Sequence, residues 1–316
     1  MAVIAITGAD GFVGRRTVED LARRGHVVIG VVRRPSATSA PTARMVGDID
    51  AHTDWMRVLE GVDSVVHCAA RAHVMGERTV DSLPLYRSVN VEGTRRLAEQ
   101  ATRCGVRRLV YLSSVKAAGE RSALGRPLSL SDVPAPEDAY GVSKREAELA
   151  LLEVGAATGL ETVIIRPPLV YGPGVKGNFF RLMGAIARGW PLPLGVFDNR
   201  RSMVSLANLT DFVSLCAESP AAAGRTFFVS DGEDFSTASL VQRMGEALGC
   251  SVRLLPVPGA VLSMLGRLMG KASEVERLVG TLQVDLSDSH ELLGWSPPQT
   301  VDQGLRETAD WFRSLG

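Results

Sequence analysis

Short apolar runs alternate along this chain with longer stretches whose apolar positions recur at helical spacing. Runs of strand length, rich in Val and Ile, occupy residues 3–7, 27–32, 64–68, 108–113 and 162–166. Between them, residues 14–24, 53–59, 88–104 and 140–157 read as helices. Near-continuous apolar strands separated by helices predict a parallel sheet covered on both faces. This is an α/β class, the Rossmann-type doubly wound parallel sheet. After Arg166 the pattern changes. Pro167-Pro168 and Tyr171-Gly172-Pro173-Gly174 interrupt it, and prolines and glycines recur through Gly195. A helix over 206–219 and a strand over 226–230 then return, followed by helical runs at 235–248 and 258–270. The organisation predicted is a dinucleotide-binding domain over residues 1–171, with 203–232 returning to it. Residues 172–202 and 233–316 form a smaller, mostly helical substrate-binding lobe, in which 258–270 is a buried helix rather than a membrane-surface one.

The chain has 316 residues, 45% of them hydrophobic, enough for a large core. Its 35 Lys and Arg balance 35 Asp and Glu, which argues against a nucleic-acid or other polyanion partner. Cys68, Cys104, Cys216 and Cys250 stand far apart with no CxxC spacing, as reduced thiols do. The opening MAVIAITGADGFVG lacks a basic lead and meets glycines at once, so it reads as a buried first strand and not a signal peptide. No run approaches the roughly 18 apolar residues of a membrane span. A soluble, cytoplasmic protein is expected. His26, His52, His67, His73 and His290 have no metal-ligand spacing, and no metal site is expected. No GxSxG motif suggests a hydrolase.

Chemistry enters with Gly8, Gly11 and Gly14, which follow the first strand and open a helix. In such a turn the first glycine permits the bend, the second lets backbone approach a pyrophosphate, and the third lets the helix pack on the sheet. The helix N-terminus presents free N–H groups and a positive dipole end to phosphates. The second strand ends in Arg33-Arg34-Pro35 with no carboxylate. An acid there would bind a free ribose 2′-hydroxyl, whereas arginine suits a 2′-phosphate. The cofactor expected is therefore NADP, with NAD as the alternative. Asp48 and Ile49 follow a third extended segment and are candidates to flank the adenine. Tyr140 and Lys144 sit at i and i+4, on one helix face. A phenol with reference pKa near 10 is a poor base at neutral pH, and a nearby ammonium is expected to bring it down. Ser113 and Ser114 stand at the carboxyl end of the fourth apolar run, where ligands bind in open α/β sheets.

Taken together these residues resemble the extended short-chain dehydrogenase/reductases, the NAD-dependent epimerase/dehydratase family, over nearly the whole chain. Thr7-Gly8-Ala9-Asp10-Gly11-Phe12-Val13-Gly14 is similar to the family's phosphate loop, and His67-Cys68-Ala69-Ala70 to its cofactor-lining segment. Asn90-Val91-Glu92-Gly93-Thr94 resembles its NVxGT helix, and residues 166–174 resemble its RxxxVYGPG element. The resemblance implies cofactor contacts at Phe12, Val13, Ala69, Ala70, Asn90 and Pro167. It implies a catalytic trio of Ser114, Tyr140 and Lys144, with Ser114 preferred to Ser113 by counting back from Gly119. Dehydratases place Asp-Glu after the catalytic hydroxyl; here Val115-Lys116 stand there, which disfavours dehydration. Asn178 and Arg201 resemble positions that hold the diphosphate of a nucleotide sugar, and His73 is a candidate to reach the sugar.

The subgroup most resembled, on residues 70–75, 167–178 and 229–234, is UDP-glucose 4-epimerase-like and includes 4-keto-sugar reductases making UDP-N-acetylquinovosamine. The activity expected is an NADPH-linked UDP-4-keto-sugar reductase of cell-surface polysaccharide synthesis. The alternative is a UDP-sugar 4-epimerase that holds NAD tightly. A small-carbonyl reductase and a non-catalytic nucleotide sensor are the remaining readings. The resemblance also implies a homodimer formed through 88–104 and 140–157.

Overall fold

The computed structural model describes the chain apart from residues 36–39, 41, 73–81, 196 and 269–271, and apart from the side chains of residues 260, 263, 265–267, 272–274 and 277. Seven strands form one sheet: β1 (Val3–Thr7), β2 (Val27–Val32), β3 (Thr42–Met45), β4 (Ser64–His67), β5 (Arg108–Leu112), β6 (Glu161–Arg166) and, later in the chain, a strand over Thr226–Phe228. All pairings are parallel, and the order is β3-β2-β1-β4-β5-β6 with the late strand at the far edge. The order reverses direction at β1/β4, which puts a crevice above the carboxyl ends of those strands.

Alternation along the strands explains why both faces are covered. Ile4, Ile6, Val66, Val110, Val163 and Ile165 bury themselves against helices α1 (Phe12–Arg23) and, further on, Leu206–Glu218. Ala5, Ile29, Val31, Val65, Leu109 and Tyr111 face the other side. There they meet the helical segment that begins at α2 (Leu83–Tyr86), passes through a π-helical turn (Arg87–Glu92) and continues as α3 (Gly93–Arg103), together with α4 (Ala139–Thr158). Each fully buried Val, Leu or Ile contributes about 1.5–3 kcal/mol.

Residues 53–59, expected as a helix, form turns. Side chains there compete with helical bonding: Thr53 Oγ1 bonds the carbonyls of Asp48 and Asp50, and Asp54 accepts from Met56 N–H. Trp55 N–H is taken by Gln100 Oε1.

Beyond β6 the chain forms β7 (Leu169–Tyr171), α5 (Gly177–Ala187), β8 (Met203–Ser205), α6 (Leu206–Glu218), β9 (Thr226–Phe228), α7 (Thr237–Leu248), α8 (Gly259–Leu268), α9 (Ala272–Val279), α10 (Ser287–Leu293) and α11 (Val301–Arg313). Strands β7 and β8 pair in parallel beside the main sheet. A further apolar cluster, including Phe179, Met183, Ile186, Val241, Met244, Val301 and Leu305, joins α5, α7 and α11. Helix α8 departs from expectation. Leu262 packs toward this cluster, but among the described side chains of the helix Val261, Met264 and Leu268 are 42%, 57% and 77% exposed, so those three face outward. A polar joint ties the crossings together: Asp231 accepts from Ser205 N–H at 2.8 Å, Asn208 Nδ2 at 2.7 Å and Tyr171 Oη at 2.7 Å.

Candidate active site

At the carboxyl end of β1 the chain turns sharply. Gly8 adopts φ +66°, and Gly11 N–H donates to the Gly8 carbonyl at 2.9 Å. A Cβ on Gly14 would lie 2.1 Å from the Gly8 oxygen, and one on Gly8 would lie 3.0 Å from the Ala69 nitrogen. The turn therefore accepts only glycine at Gly14 and brings the 68–70 segment against it. Gly11 occupies the cap position of α1 and has no side chain to satisfy the first N–H groups, which leaves them to an anion. Phe12 and Val13 begin the helix, and the Phe12 ring stands beside Gly174, where a Cβ would be 3.5 Å away. This cradle fits a dinucleotide pyrophosphate.

Behind the cradle lies a polar line within the sheet. Ala69 N–H donates to Thr7 Oγ1, which also hydrogen-bonds His67 Nδ1 at 2.6 Å, and His67 Nε2 hydrogen-bonds Thr94 Oγ1 at 3.1 Å. Burial, and then the charge of Lys144, lower the His67 pKa to about 3, which keeps the ring neutral. Its imidazole stacks on Tyr111 at 5.7 Å.

The two serines at the end of β5 part company. Ser113 is buried and donates to Glu148 Oε1 at 2.6 Å. Ser114 turns the other way and hydrogen-bonds the Tyr140 phenol. Tyr140 enters from the start of α4, which Asp138 caps by accepting from Gly141 N–H at 2.7 Å. One turn along, Lys144 is almost wholly buried, and its Nζ donates to the Leu112 carbonyl at 2.7 Å and lies 4.0 Å from the Tyr111 ring centre. Burial lowers its pKa to about 7, opposed by Glu148 and Cys68. The expected lowering of the phenol by Lys144 is corrected here. Burial first, then Asp138 and Tyr86, push Tyr140 up to about 12, and Ser114 acts in the other direction. The ammonium is drawn to a carbonyl and a ring face, not to the phenol oxygen.

Sequence reading missed the group beneath these residues. Glu148, fully buried on the Lys144 face of α4, receives two bonds from Arg166 at 2.9 and 2.7 Å besides that from Ser113. A carboxylate four residues after a helical lysine was the available signal. It locks the ends of β5 and β6 to α4.

The remaining candidates divide. Asn90 sits in the π-helical turn and spends its amide on protein: Nδ2 donates to Ser143 Oγ and the Arg71 carbonyl, and Oδ1 accepts from Arg71 N–H. It fastens the 69–71 segment to α4. The Pro167 carbonyl accepts from Val115 N–H at 2.9 Å, next to Ser114. Ala70 is exposed at the loop rim. Arg33 and Arg34 are exposed at the end of β2, and Arg33 pairs with Asp48 at 3.5 Å, so a carboxylate does stand at this edge, supplied after β3. Ile49 packs on α3 against Gly93. Asn178 is exposed in the first turn of α5, and Arg201 is half-buried with Nη1 donating to the Gly280 carbonyl at 3.0 Å. His73 lies outside the described residues. Among the described residues, no group of three His, Cys, Asp or Glu is placed to hold a metal, and no helix is long and apolar enough to cross a membrane.

A parallel sheet in this order with a glycine cradle and a Ser/Tyr/Lys constellation defines a nucleotide-dependent oxidoreductase fold. The family model for the NAD dependent epimerase/dehydratase family matches residues 4–229. A Vibrio cholerae UDP-glucose 4-epimerase is 46% identical over 311 residues, covering 98% of this chain and 95% of that protein. Among solved structures, MoeE5 in complex with UDP-glucuronic acid and NAD is 25% identical with TM-score 0.79, covering 99% of both chains. A Bacillus cereus UDP-glucuronic acid 4-epimerase in complex with NAD shares the fold at TM-score 0.80 and 20% identity, over 99% of this chain and 97% of that one. The chain belongs to the NAD-dependent epimerase/dehydratase family and is an enzyme of the extended short-chain dehydrogenase/reductase type.

Proposed function

We propose that this enzyme is a UDP-sugar 4-epimerase that keeps its NAD, and that the reductase expectation gives way to it. The observation that carries the reading is the likeness, at 46% identity along nearly the whole chain, to a UDP-glucose 4-epimerase. The Arg33–Asp48 ion pair adds support, because Asp48 uses part of the charge that a 2′-phosphate would need.

Residues 8–14 would hold the pyrophosphate of NAD, with Asp48 and Ile49 at its adenosine end and Ala69, Ala70 and Pro167 along its length. NAD, when bound, supplies a hydride acceptor and donor for C4 of the sugar. The Tyr140 oxygen, in its ionised form, takes the C4 hydroxyl proton and, as the phenol, later returns it, while the Ser114 hydroxyl bonds the same sugar oxygen and orients it. Lys144 supplies positive charge behind the pair, which a pKa near 7 makes sensitive to working pH. Epimerisation asks for both directions of this proton transfer with the sugar turned over between them. The lobe formed by residues 172–202 and 233–316 would hold the UDP moiety, with Asn178 and Arg201 as its diphosphate contacts. Helices α3 and α4, where Leu149 and Leu152 are exposed, are our candidate face for a second copy.

The test is to extract and weigh the nucleotide that co-purifies, and to incubate the protein with UDP-glucose without added cofactor. Retained NAD and NMR-detected UDP-galactose are expected. Empty protein that oxidises NADPH against a UDP-4-keto sugar would overturn the reading in favour of the reductase.

A further inference from the structure

Ser114 and Tyr140 come from different elements, and a charged tether outside the trio joins those elements. Lys116 Nζ donates to Asp138 Oδ2 and, at 2.9 Å, to Glu120 Oε1. The other oxygen of Asp138 caps α4 at Gly141 N–H. Lys116 also donates its backbone N–H to Ser114 Oγ at 3.2 Å. Backbone meets backbone here: a Cβ on Gly141 would lie 2.6 Å from the Lys116 carbonyl oxygen. The side chains of Lys116, Glu120 and Asp138 are 18%, 14% and 25% exposed, so their attraction is less screened than that of a surface pair.

We propose that Lys116 is a positioning residue for this enzyme: its tether to Asp138 holds the Ser114 loop on the start of α4 and offsets the carboxylate that stands beside the Tyr140 phenol. The inference rests on the proposed role of Tyr140 in proton transfer. Several groups among the described residues act on the phenol. Asp138 from the cap of α4 and Tyr86 from α2 disfavour its ionisation, and Ser114 from the β5 loop favours it. Tyr111 from β5 is close enough that charge on the Tyr140 phenol disfavours its own ionisation, and Lys144 lies one turn on, at the Leu112 carbonyl. Lys116 and Glu120 stand beyond Asp138. Without the Lys116 charge, the Asp138 carboxylate beside the phenol loses that compensation, and a second negative charge close by is disfavoured more strongly.

The experiment uses the full enzyme with Lys116→Met, Lys116→Arg, Asp138→Asn and the Lys116→Met/Asp138→Asn pair. Two readouts are taken: the pH dependence of kcat on UDP-glucose, and 13C NMR of protein labelled at tyrosine Cζ. The chain has four tyrosines, and Tyr140 is assigned by the resonance lost in Tyr140→Phe. Lys116→Met should move the acid limb of kcat up by about one pH unit, roughly tenfold slower near neutrality, with KM little changed. Lys116→Arg should restore the limb, Asp138→Asn should move it down, and the pair should return it toward wild type. The Tyr140 resonance should begin to titrate later in Lys116→Met and earlier in Asp138→Asn. An unshifted limb and resonance in Lys116→Met, a change confined to KM, or a uniform loss that arginine fails to rescue would overturn the proposal. If Lys116→Met does not fold, Lys116→Arg and Asp138→Asn decide it, since asparagine keeps the cap. If wild type turns over no UDP-sugar, the proposed function fails, and the NMR titration still tests the tether.

Discussion

Replacing Gly14 by alanine probes the cradle with one methyl group. That carbon would stand 2.1 Å from the Gly8 oxygen and 2.7 Å from the Gly8 carbonyl carbon, both backbone atoms of the turn. Ordinary contact begins near 3.4 Å. The start of α1 must therefore move more than about 1 Å from β1, or the turn must reopen, and overpacking of this kind costs about 1–3 kcal/mol. For a chain of this size that corresponds to a melting temperature lower by roughly 1–5 °C. The same displacement takes the first N–H groups of α1 out of hydrogen-bond reach of a pyrophosphate. Differential scanning fluorimetry and mass-spectrometric nucleotide content measure the two effects on one preparation. Gly25→Ala is the control. It strains a left-handed glycine with φ +86° and open space around it, at about 1–2 kcal/mol, and leaves nucleotide content alone. Wild-type stability and full nucleotide content in Gly14→Ala would refute the geometric argument.

Tyr140→Phe should lower kcat by about 10²–10⁴-fold while nucleotide content stays at the wild-type level, and substantial turnover by this variant would exclude Tyr140 as the acid–base group. Glu148→Ala leaves Arg166 buried without its carboxylate and should cost about 3–5 kcal/mol in urea unfolding; a loss under 1 kcal/mol would show that the cluster is not structural. His67 is neutral when folded because its pKa lies near 3, whereas the unfolded ring has an ordinary value of 6.5. As pH falls from 6.5 toward 3 the unfolded chain binds the extra proton, so this residue removes up to about 1.4 kcal/mol of stability per pH unit. His67→Asn should flatten that part of the stability profile, and an unchanged slope would contradict the assignment. Arg33→Asp should leave the retained NAD, measured by mass spectrometry, at the wild-type level, because NAD carries no 2′-phosphate for Arg33 to hold; wild type that retains NADP and a variant that retains NAD would mean that Arg33 reads the 2′ position.

Pattern carried the sheet well, because β1, β2, β4, β5 and β6 are apolar on both faces and their glycine turns are local features. It carried the second half less well. Helix α5 begins directly after a glycine- and proline-rich loop, and α10 and α11 owe their burial to partners far away in sequence, such as Ser289 bonding the Phe228 carbonyl and Gly304 packing on Tyr171. Residues 53–59 had helical content but formed little helical bonding beyond Leu59 N–H to the Trp55 carbonyl, because Thr53 and Asp54 bind their own backbone. At the site, the preference for Ser114 came from resemblance, and the structure adds that Ser113 spends its hydroxyl on Glu148 while Ser114 hydrogen-bonds the Tyr140 phenol. The direction of the Tyr140 shift was not visible, since spacing places Lys144 on the right face without telling which acceptor its ammonium finds. The Arg33–Asp48 pair was hidden for the same reason, as it joins residues at the ends of two different strands.

The late arrival of β9 has a consequence for synthesis. Strand β6 pairs with β9 through Ile164, Ile165 and Arg166, yet β9 follows it by about sixty residues. At roughly 5–20 residues per second, a ribosome leaves one edge of β6 without its partner for about 3–12 s. That edge is apolar and able to pair with another nascent chain. Substitutions that slow passage through residues 167–225 should therefore reduce the soluble yield without altering the stability of the finished enzyme, and holdase chaperones should act within this window.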